Sequence, residues 1–368
     1  MDESGMVMDL LYSAEGMTDV EWYEGALCPG FVNTHCHLEL SHLKNQIPAG
    51  TGMVGFIKEV MNNKDHANEV IQGGLELAEQ ELINNGVVAV GDICNTADSF
   101  VMKTKKRLHY HSFIEVFSIV PQQADGVFNK SSELYHQAEG LGLSVSISPH
   151  APYTCSKELM RLINHFSEST GHPFTIHNQE SLPEDALFRS GKGAFVDFYK
   201  ELGIGLSFLH PTGKSSLEWL LPNLPLNQKI LLVHNTFTTQ KEMDMAVAAH
   251  PNIYWCLCPK ANLYIHDVTP AISLFAPMAE RITIGTDSLA SNDTLSVLEE
   301  LKALHEASPS LDLEVLLQWG TLNGARYLGL DREIGTLEKG KRPGLNLIQG
   351  MDMDPLRLTK EATVKALF

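Results

Sequence analysis

The sequence predicts an α/β fold: a (β/α)8 barrel of the TIM type with a small β-sandwich side domain built from both chain ends. Three observations carry this. Apolar, strand-like runs alternate with helix-like segments eight times, the pattern of a parallel sheet with crossover helices. Histidines and an aspartate gather at the C-terminal ends of those runs, where barrels of this kind keep their sites. The chain has 368 residues, 43% hydrophobic and 20% charged, an ordinary globular composition long enough for one large barrel.

The elements follow in order. Met1 to Cys28 is short and mixed, and is expected to give a strand or two to the side domain. Pro29-Gly30 marks entry to the first core strand, which runs to His37. Leu38 to Lys64 is a long connection, a length that suits a segment covering a site. Its Gly50-Thr51-Gly52 and Gly55 lack a following Gly-Lys-Ser/Thr, which argues against a phosphate loop. Ala67 to Asn84 has helical apolar spacing and stops at Gly86. Further strands are expected over Val87–Ile93, His109–Phe117, Leu143–Ser148, Pro173–His177, Lys229–His234, Asn252–Cys256 and Arg281–Asp287. Helices are expected over Ser131–Glu139, Ser156–Ser169, Thr294–Glu306 and Leu313–Leu328. From Ile334 the chain reads as short strands with turns. Residues 1–28 and 335–368 are therefore assigned to the side domain and 29–334 to the barrel.

Composition excludes several classes of function. Net charge is −18 and the pI is near 5.3, with no basic patch for nucleic acid. No apolar run approaches the roughly 20 residues that a membrane helix needs. The start, with Asp2, Glu3 and Asp9, lacks the basic region of a signal peptide. Six scattered cysteines form no disulfide framework, so a reducing, cytoplasmic setting is expected. Cys256-Leu257-Cys258 is too closely spaced for a Cys-x-x-Cys site and is expected to pack in a strand. A homodimer acting on a small molecule is the expectation from base rates for soluble enzymes.

The chemistry begins at His35-Cys36-His37. Residues i and i+2 of a strand share a side, so these two imidazoles point together and can share one metal ion, with zinc a common choice. The other strand-end groups are His150, His177, His234 and Asp287.

In order along the chain, Pro29-Gly-Phe-Val-Asn-Thr-His35-Cys-His37, Ser148-Pro-His150-Ala-Pro-Tyr153, His177-Asn-Gln-Glu180, Val233-His234-Asn235, Cys258-Pro-Lys-Ala-Asn262 and Gly285-Thr-Asp287-Ser-Leu-Ala-Ser-Asn292 resemble the deaminase and chlorohydrolase branch of the amidohydrolase superfamily. The resemblance runs from Pro29 to Leu347. It implies a metal held by His35, His37, His177 and Asp287, with Zn2+ expected and Fe2+ also compatible with imidazole ligands. The fourth strand ends Ser148-Pro149-His150 without the lysine that two-metal members use there, which favours one ion.

The resemblance also implies roles. Metal-activated hydroxide would attack a ring carbon bearing an amino group, with Asp287 accepting the water proton. Glu180 would move protons to the ring nitrogen and the departing amine, and His234 would hold the hydroxide. His150 is expected to contact substrate. Asn262 either orients a substrate group or caps a turn. Glu39, His42 and Asn292 are candidates for lining the mouth. Asp92 and Glu115, on strands two and three, are either structural or catalytic, and His210 is expected in a solvated loop. The leading function is hydrolytic deamination of an aminated heterocycle, of aminofutalosine or adenosine type. The alternatives are hydrolysis of another bond, as in chlorohydrolases or imidazolonepropionase-like members, and a non-catalytic homologue.

Overall fold

The computed structural model describes residues 1–18 and 20–368. A short strand β1 (Ala26–Cys28) leads into eight parallel strands: β2 (Phe31–Cys36), β3 (Val87–Cys94), β4 (His109–Val116), β5 (Ser144–Pro149), β6 (Phe174–Asn178), β7 (Ile230–His234), β8 (Ile253–Leu257) and β9 (Ile282–Ile284). Their pairing forms two ladders of four, β2-β3-β4-β5 and β6-β7-β8-β9. β2, β6 and β7 are buried along their whole length, as befits parallel strands covered on both faces. That double burial is why they read as apolar runs in the sequence.

The two ladders close into a ring at two seams made by a few backbone and side-chain contacts in place of a continuous ladder. At one, the His177 amide donates to the His150 carbonyl (2.9 Å), and the Thr175 amide to Ser148 Oγ (3.2 Å). At the other, the amides of Thr286 and Asp287 both donate to the His35 carbonyl (3.1 Å each), and Asn33 Nδ2 donates to Thr286 Oγ1 (2.7 Å). Gly285 is required here: a Cβ on it would lie 2.7 Å from His35 Cβ and 2.8 Å from Cys256 Sγ.

The helices stand where the apolar spacing puts them, with local differences. Lys157–Thr170 starts at the Ser156 cap, whose Oγ accepts the Leu159 amide, and ends at the left-handed Gly171. The connection after β2 is more ordered than expected. It holds a 3-10 turn, Leu38–Leu43, and a helix, Gly52–Asn63, whose glycines masked the helical signal. The run expected as one helix over 313–328 is two, Leu313–Gly320 and Leu322–Leu328, broken where Thr321 leaves helical geometry (φ −133°, ψ −87°). The last barrel strand stops at Ile284, shorter than the sequence pattern suggested, because Gly285 to Asp287 turn away to close the seam.

At the far end of the chain come β10 (Asn346–Gln349), β11 (Asp352–Met353), β12 (Leu356–Arg357) and β13 (Thr363–Ala366). Both chain ends build the small antiparallel side sheet, in the order β1-β10-β13, with β11 and β12 forming a separate hairpin. Upstream of β1 no regular element forms among the described residues. The side chains of Leu10, Leu11, Tyr12, Met17 and Trp22 there do not alternate with polar ones and face solvent. Among the described residues no helix is long and apolar enough to cross a membrane.

Candidate metal centre and active site

Five donors converge at the C-terminal mouth of the barrel. His35 and His37 close β2, with their Nε2 atoms 3.2 Å apart. Asp287 Oδ1 lies 3.5 Å from His35 Nε2 and 3.4 Å from His37 Nε2. The rings of His35 and His177 are centred 4.8 Å apart, and those of His177 and His234 5.3 Å apart. One ligand atom from each of His35, His177, His234 and Asp287 lies within 4.8 Å of all the others.

Three of the donors, His177, His234 and Asp287, are aimed by a second contact. The His177 Nδ1–H donates to the His150 carbonyl (2.7 Å), which leaves Nε2 free for the cluster. The His234 Nδ1–H donates to Asn262 Oδ1 (3.0 Å), so its Nε2 carries the lone pair. Asp287 Oδ2 accepts the Ser291 hydroxyl (2.6 Å). The backbone is held in unusual conformations around these groups. Gln179, His234, Asn235 and Asp287 have φ of 44°, 71°, 56° and 57°, the left-handed region that costs a non-glycine residue about 1–3 kcal/mol.

Burial sets the charge state. It pushes His234 down to about 3 and holds His35 and His177 below their ordinary values, so all three are neutral, the form in which an imidazole offers a lone pair. Burial would also raise the Asp287 carboxyl. The hydrogen bond from His35 and the neighbouring imidazoles outweigh it, so the group stays ionised. Glu180 goes the other way: burial, then the charges of Asp287 and Glu184, lift it well above the ordinary carboxylate range. Its Oε1 lies 3.5 Å from His234 Nε2.

A divalent cation fits this constellation. His35 Nδ1 and His234 Nε2 are buried without a hydrogen-bond partner, a cost that a ligand at the centre would relieve in the case of His234 Nε2. The donor set of neutral imidazoles and one carboxylate suits a single such ion.

The expected mouth residues divide. His150 stands beside His177, ring centres 4.7 Å apart, with its Nδ1 on Thr154 Oγ1 (2.9 Å). Asn262 is at the site, holding His234. Three others, proposed to line the mouth, make contacts with the loops around it. Glu39 Oε2 accepts the amides of Asn95 (2.9 Å) and Thr96 (3.0 Å), bracing the loop after β3. His42 is turned to the Lys64 carbonyl (3.1 Å) and packs on His66, 5.1 Å between ring centres. Asn292 donates to the Thr286 carbonyl (2.9 Å) and to Glu300 (2.7 Å), behind Asp287. In each case a backbone group close by in the folded loop takes one polar atom of the side chain, while Glu39 Oε1 and His42 Nδ1 stay buried without a hydrogen-bond partner.

Asp92 and Glu115 both contact residues beside the site, and one ligand atom from each of Glu115, His150 and His177 lies within 4.8 Å of the others. Asp92 Oδ1 accepts the Leu38 amide next to His37 (2.9 Å), and its Oδ2 meets Lys103 Nζ at 2.6 Å. Glu115 Oε1 is 3.8 Å from His177 Nδ1, and its Oε2 accepts Asn95 Nδ2 (3.0 Å). His210 is exposed, as expected. Sequence reasoning missed Glu184, which accepts the amides leading into Glu180. The Ser181-Leu-Pro-Glu184 spacing was the available signal, since Ser-x-x-Glu marks a helix start.

Comparison with known proteins agrees with this geometry. The chain is 28% identical over 313 residues to an aminodeoxyfutalosine deaminase of Deinococcus radiodurans, covering 82% of this chain and 73% of the relative. Two solved structures share the fold. Helicobacter pylori aminofutalosine deaminase in complex with methylthio-coformycin superposes with a TM-score of 0.75 at 24% identity, covering 91% of this chain and 81% of that one. An adenosine deaminase from Xanthomonas campestris with bound zinc gives 0.73 at 22% identity, covering 94% and 78%. The amidohydrolase family model matches residues 26–367, nearly the whole chain, and with the barrel and its histidine–aspartate mouth it establishes that this protein belongs to the amidohydrolase family.

Proposed function

We propose that this protein is a metal-dependent hydrolytic deaminase of an aminated heterocycle, nucleoside-like, of aminofutalosine or adenosine type. The observation that carries the reading is the pairing of a buried, proton-retaining Glu180 with the unpartnered Nε2 of His234, 3.5 Å away, at the edge of converging metal donors. The names of the relatives support the substrate class.

His35, His37, His177 and Asp287 would hold the ion. Zn2+ is the proposed occupant, supported by the donor set and by the zinc in the Xanthomonas campestris structure. His234 Nε2 lies close enough to these donors to approach the ion, and we assign it to the attacking oxygen because it also faces Glu180. When bound, such an ion lowers the pKa of a water to near 7.

The remaining work belongs to side chains of this chain. Asp287, ionised and held by Ser291, can accept the proton that the attacking water gives up. Glu180 retains a proton to higher pH than an ordinary carboxyl, so it can protonate the ring nitrogen beside the attacked carbon. Once ionised, it can take the proton left on the added hydroxyl and pass it to the leaving amine. His234, neutral and locked by Asn262, orients the attacking oxygen through Nε2. His150 would contact the heterocycle from the lip of β5.

The test is ammonia release by the zinc-loaded protein over adenosine, S-adenosylhomocysteine, aminofutalosine, guanine, cytosine and aminated triazines. Glu180→Gln should lower turnover by about 100- to 10,000-fold and leave one metal per chain. Full activity in that variant would remove Glu180 from the mechanism. A metal-loaded wild type silent on the whole panel would redirect the assignment to another hydrolysis.

A further inference from the structure

Glu180 is held in place from behind. Among the described residues no hydrogen bond reaches its carboxyl group, whose polar neighbour is the neutral His234 Nε2 at 3.5 Å. Its position is therefore set by its own backbone. That backbone is strained, because Gln179, the residue before it, sits at φ 44°.

Two features compensate for this strain. Gln179 is tied by its side chain, which donates to Glu242 Oε1 (2.9 Å) and accepts from Thr238 Oγ1 (2.8 Å). The peptide itself is tied by Glu184. One carboxylate oxygen accepts the Gln179 amide (3.0 Å) and the other accepts the Glu180 amide (3.1 Å). Glu184 is fully buried in the first turn of the Leu182–Ser190 helix, so the fork is rigidly mounted. A two-oxygen acceptor closing on two consecutive amides fixes both the height of this turn and its rotation.

We propose that Glu184 is a positioning residue for proton transfer: by gripping the amides of residues 179 and 180 it aims the Glu180 carboxylate at the reacting ring and at His234. This rests on the reading of Glu180 as the group that carries the proton. Glu184 touches neither substrate nor metal donors, so its removal should leave binding intact and slow the chemical step. A displacement of about 1 Å at a catalytic group is enough to cost on the order of 100-fold in rate.

The experiment compares Glu184→Ala and Glu184→Gln with the wild type. Asp185→Asn, on the same helix but bonded to the Ser216 amide (3.1 Å), is the control. Each zinc-loaded protein is assayed for metal content, kcat and KM on the best substrate of the panel, and its crystal structure is determined. Glu184→Ala should keep one metal per chain and a KM within about threefold, while kcat falls on the order of 100-fold. Glu184→Gln keeps one acceptor oxygen and should recover about a tenth of the wild-type kcat, about 1.4 kcal/mol of lost transition-state stabilisation. Asp185→Asn should match the wild type. In the Glu184→Ala crystal the Glu180 carboxylate should be displaced from His234.

Wild-type kcat in Glu184→Ala overturns the proposal, and so does a fall in kcat with Glu180 unmoved. If Glu184→Ala does not fold, Glu184→Gln decides by the same criteria. If the wild type releases no ammonia from any panel member, the deaminase reading fails on its own. The displacement of Glu180 between wild-type and Glu184→Gln crystals then decides this one.

Discussion

Two regions of this molecule invert the usual distribution of side chains. Around the barrel mouth, ionisable groups are buried: Asp92, Lys103, Glu184, Glu242 and Glu300 are all enclosed from solvent. Around the N-terminal segment, apolar groups are exposed, among them Leu10, Leu11 and Trp22, the last 82% accessible. Buried charge survives only when every group has a partner, and partners impose geometry. Lys103 shows this, with Asp92 Oδ2 at 2.6 Å, Ser112 Oγ at 2.9 Å and Cys94 Sγ at 3.0 Å. Burial alone would strip its proton, and the Asp92 charge overrides that. Exposed apolar groups impose no comparable constraint on their own positions. The barrel mouth is therefore rigid where chemistry needs it, whereas the N-terminal segment should tolerate change.

Three perturbations test that contrast, from the largest effect down. Lys103→Met leaves Asp92 buried and unpaired next to the Leu38 amide that follows His37. Loss of one partner of a buried pair costs about 3–5 kcal/mol. Urea unfolding should show that loss, and metal affinity should fall with it through His37. A variant as stable as the wild type would mean that the mouth does not depend on its buried charge.

Glu300→Gln sharpens the comparison through pH. Burial raises the Glu300 carboxyl to about 8, above the roughly 4.3 of an unfolded glutamate. Between those values the folded state binds more protons than the unfolded state, so this group makes unfolding easier as pH rises across the window. The wild type should lose stability relative to Glu300→Gln between pH 5 and 8, by at most about 1.4 kcal/mol per pH unit. Chemical denaturation at several pH values reads this directly, and parallel profiles would contradict it.

Trp22→Ser is the smallest. An exposed side chain outside any regular element should change stability by no more than about 0.5 kcal/mol and leave turnover unchanged. A larger effect would show that the N-terminal segment supports the barrel after all.

The ring of strands was legible because a strand buried on both faces must be apolar, and His35, His177, His234 and Asp287 stood out as polar ends to apolar runs. What stayed hidden has a common cause. Glu184 and Lys103 look like surface charges in the sequence, and only the fold reveals that they are enclosed. Glu39, His42 and Asn292 read as mouth residues, and the sequence gives no sign of the backbone groups that folding brings to one end of each side chain. The helix over Gly52–Asn63 was hidden by its own glycines.

The two seams of the barrel have a consequence for how the protein comes apart. His35 and His37 lie in one half-ring, and His177, His234 and Asp287 in the other. Several of the joints between the halves lie at these same residues, through the His177 and Asp287 amides and the His35 carbonyl. An ion bound there behaves as a rivet, and its dissociation would loosen the whole ring along two lines. Amide exchange at His177, Thr286 and Asp287 would then report occupancy of the centre before any loss of helical signal. A chain divided at the Gly171–Pro173 turn, at the opposite end of the barrel, would reassemble from its two halves in proportion to the metal supplied.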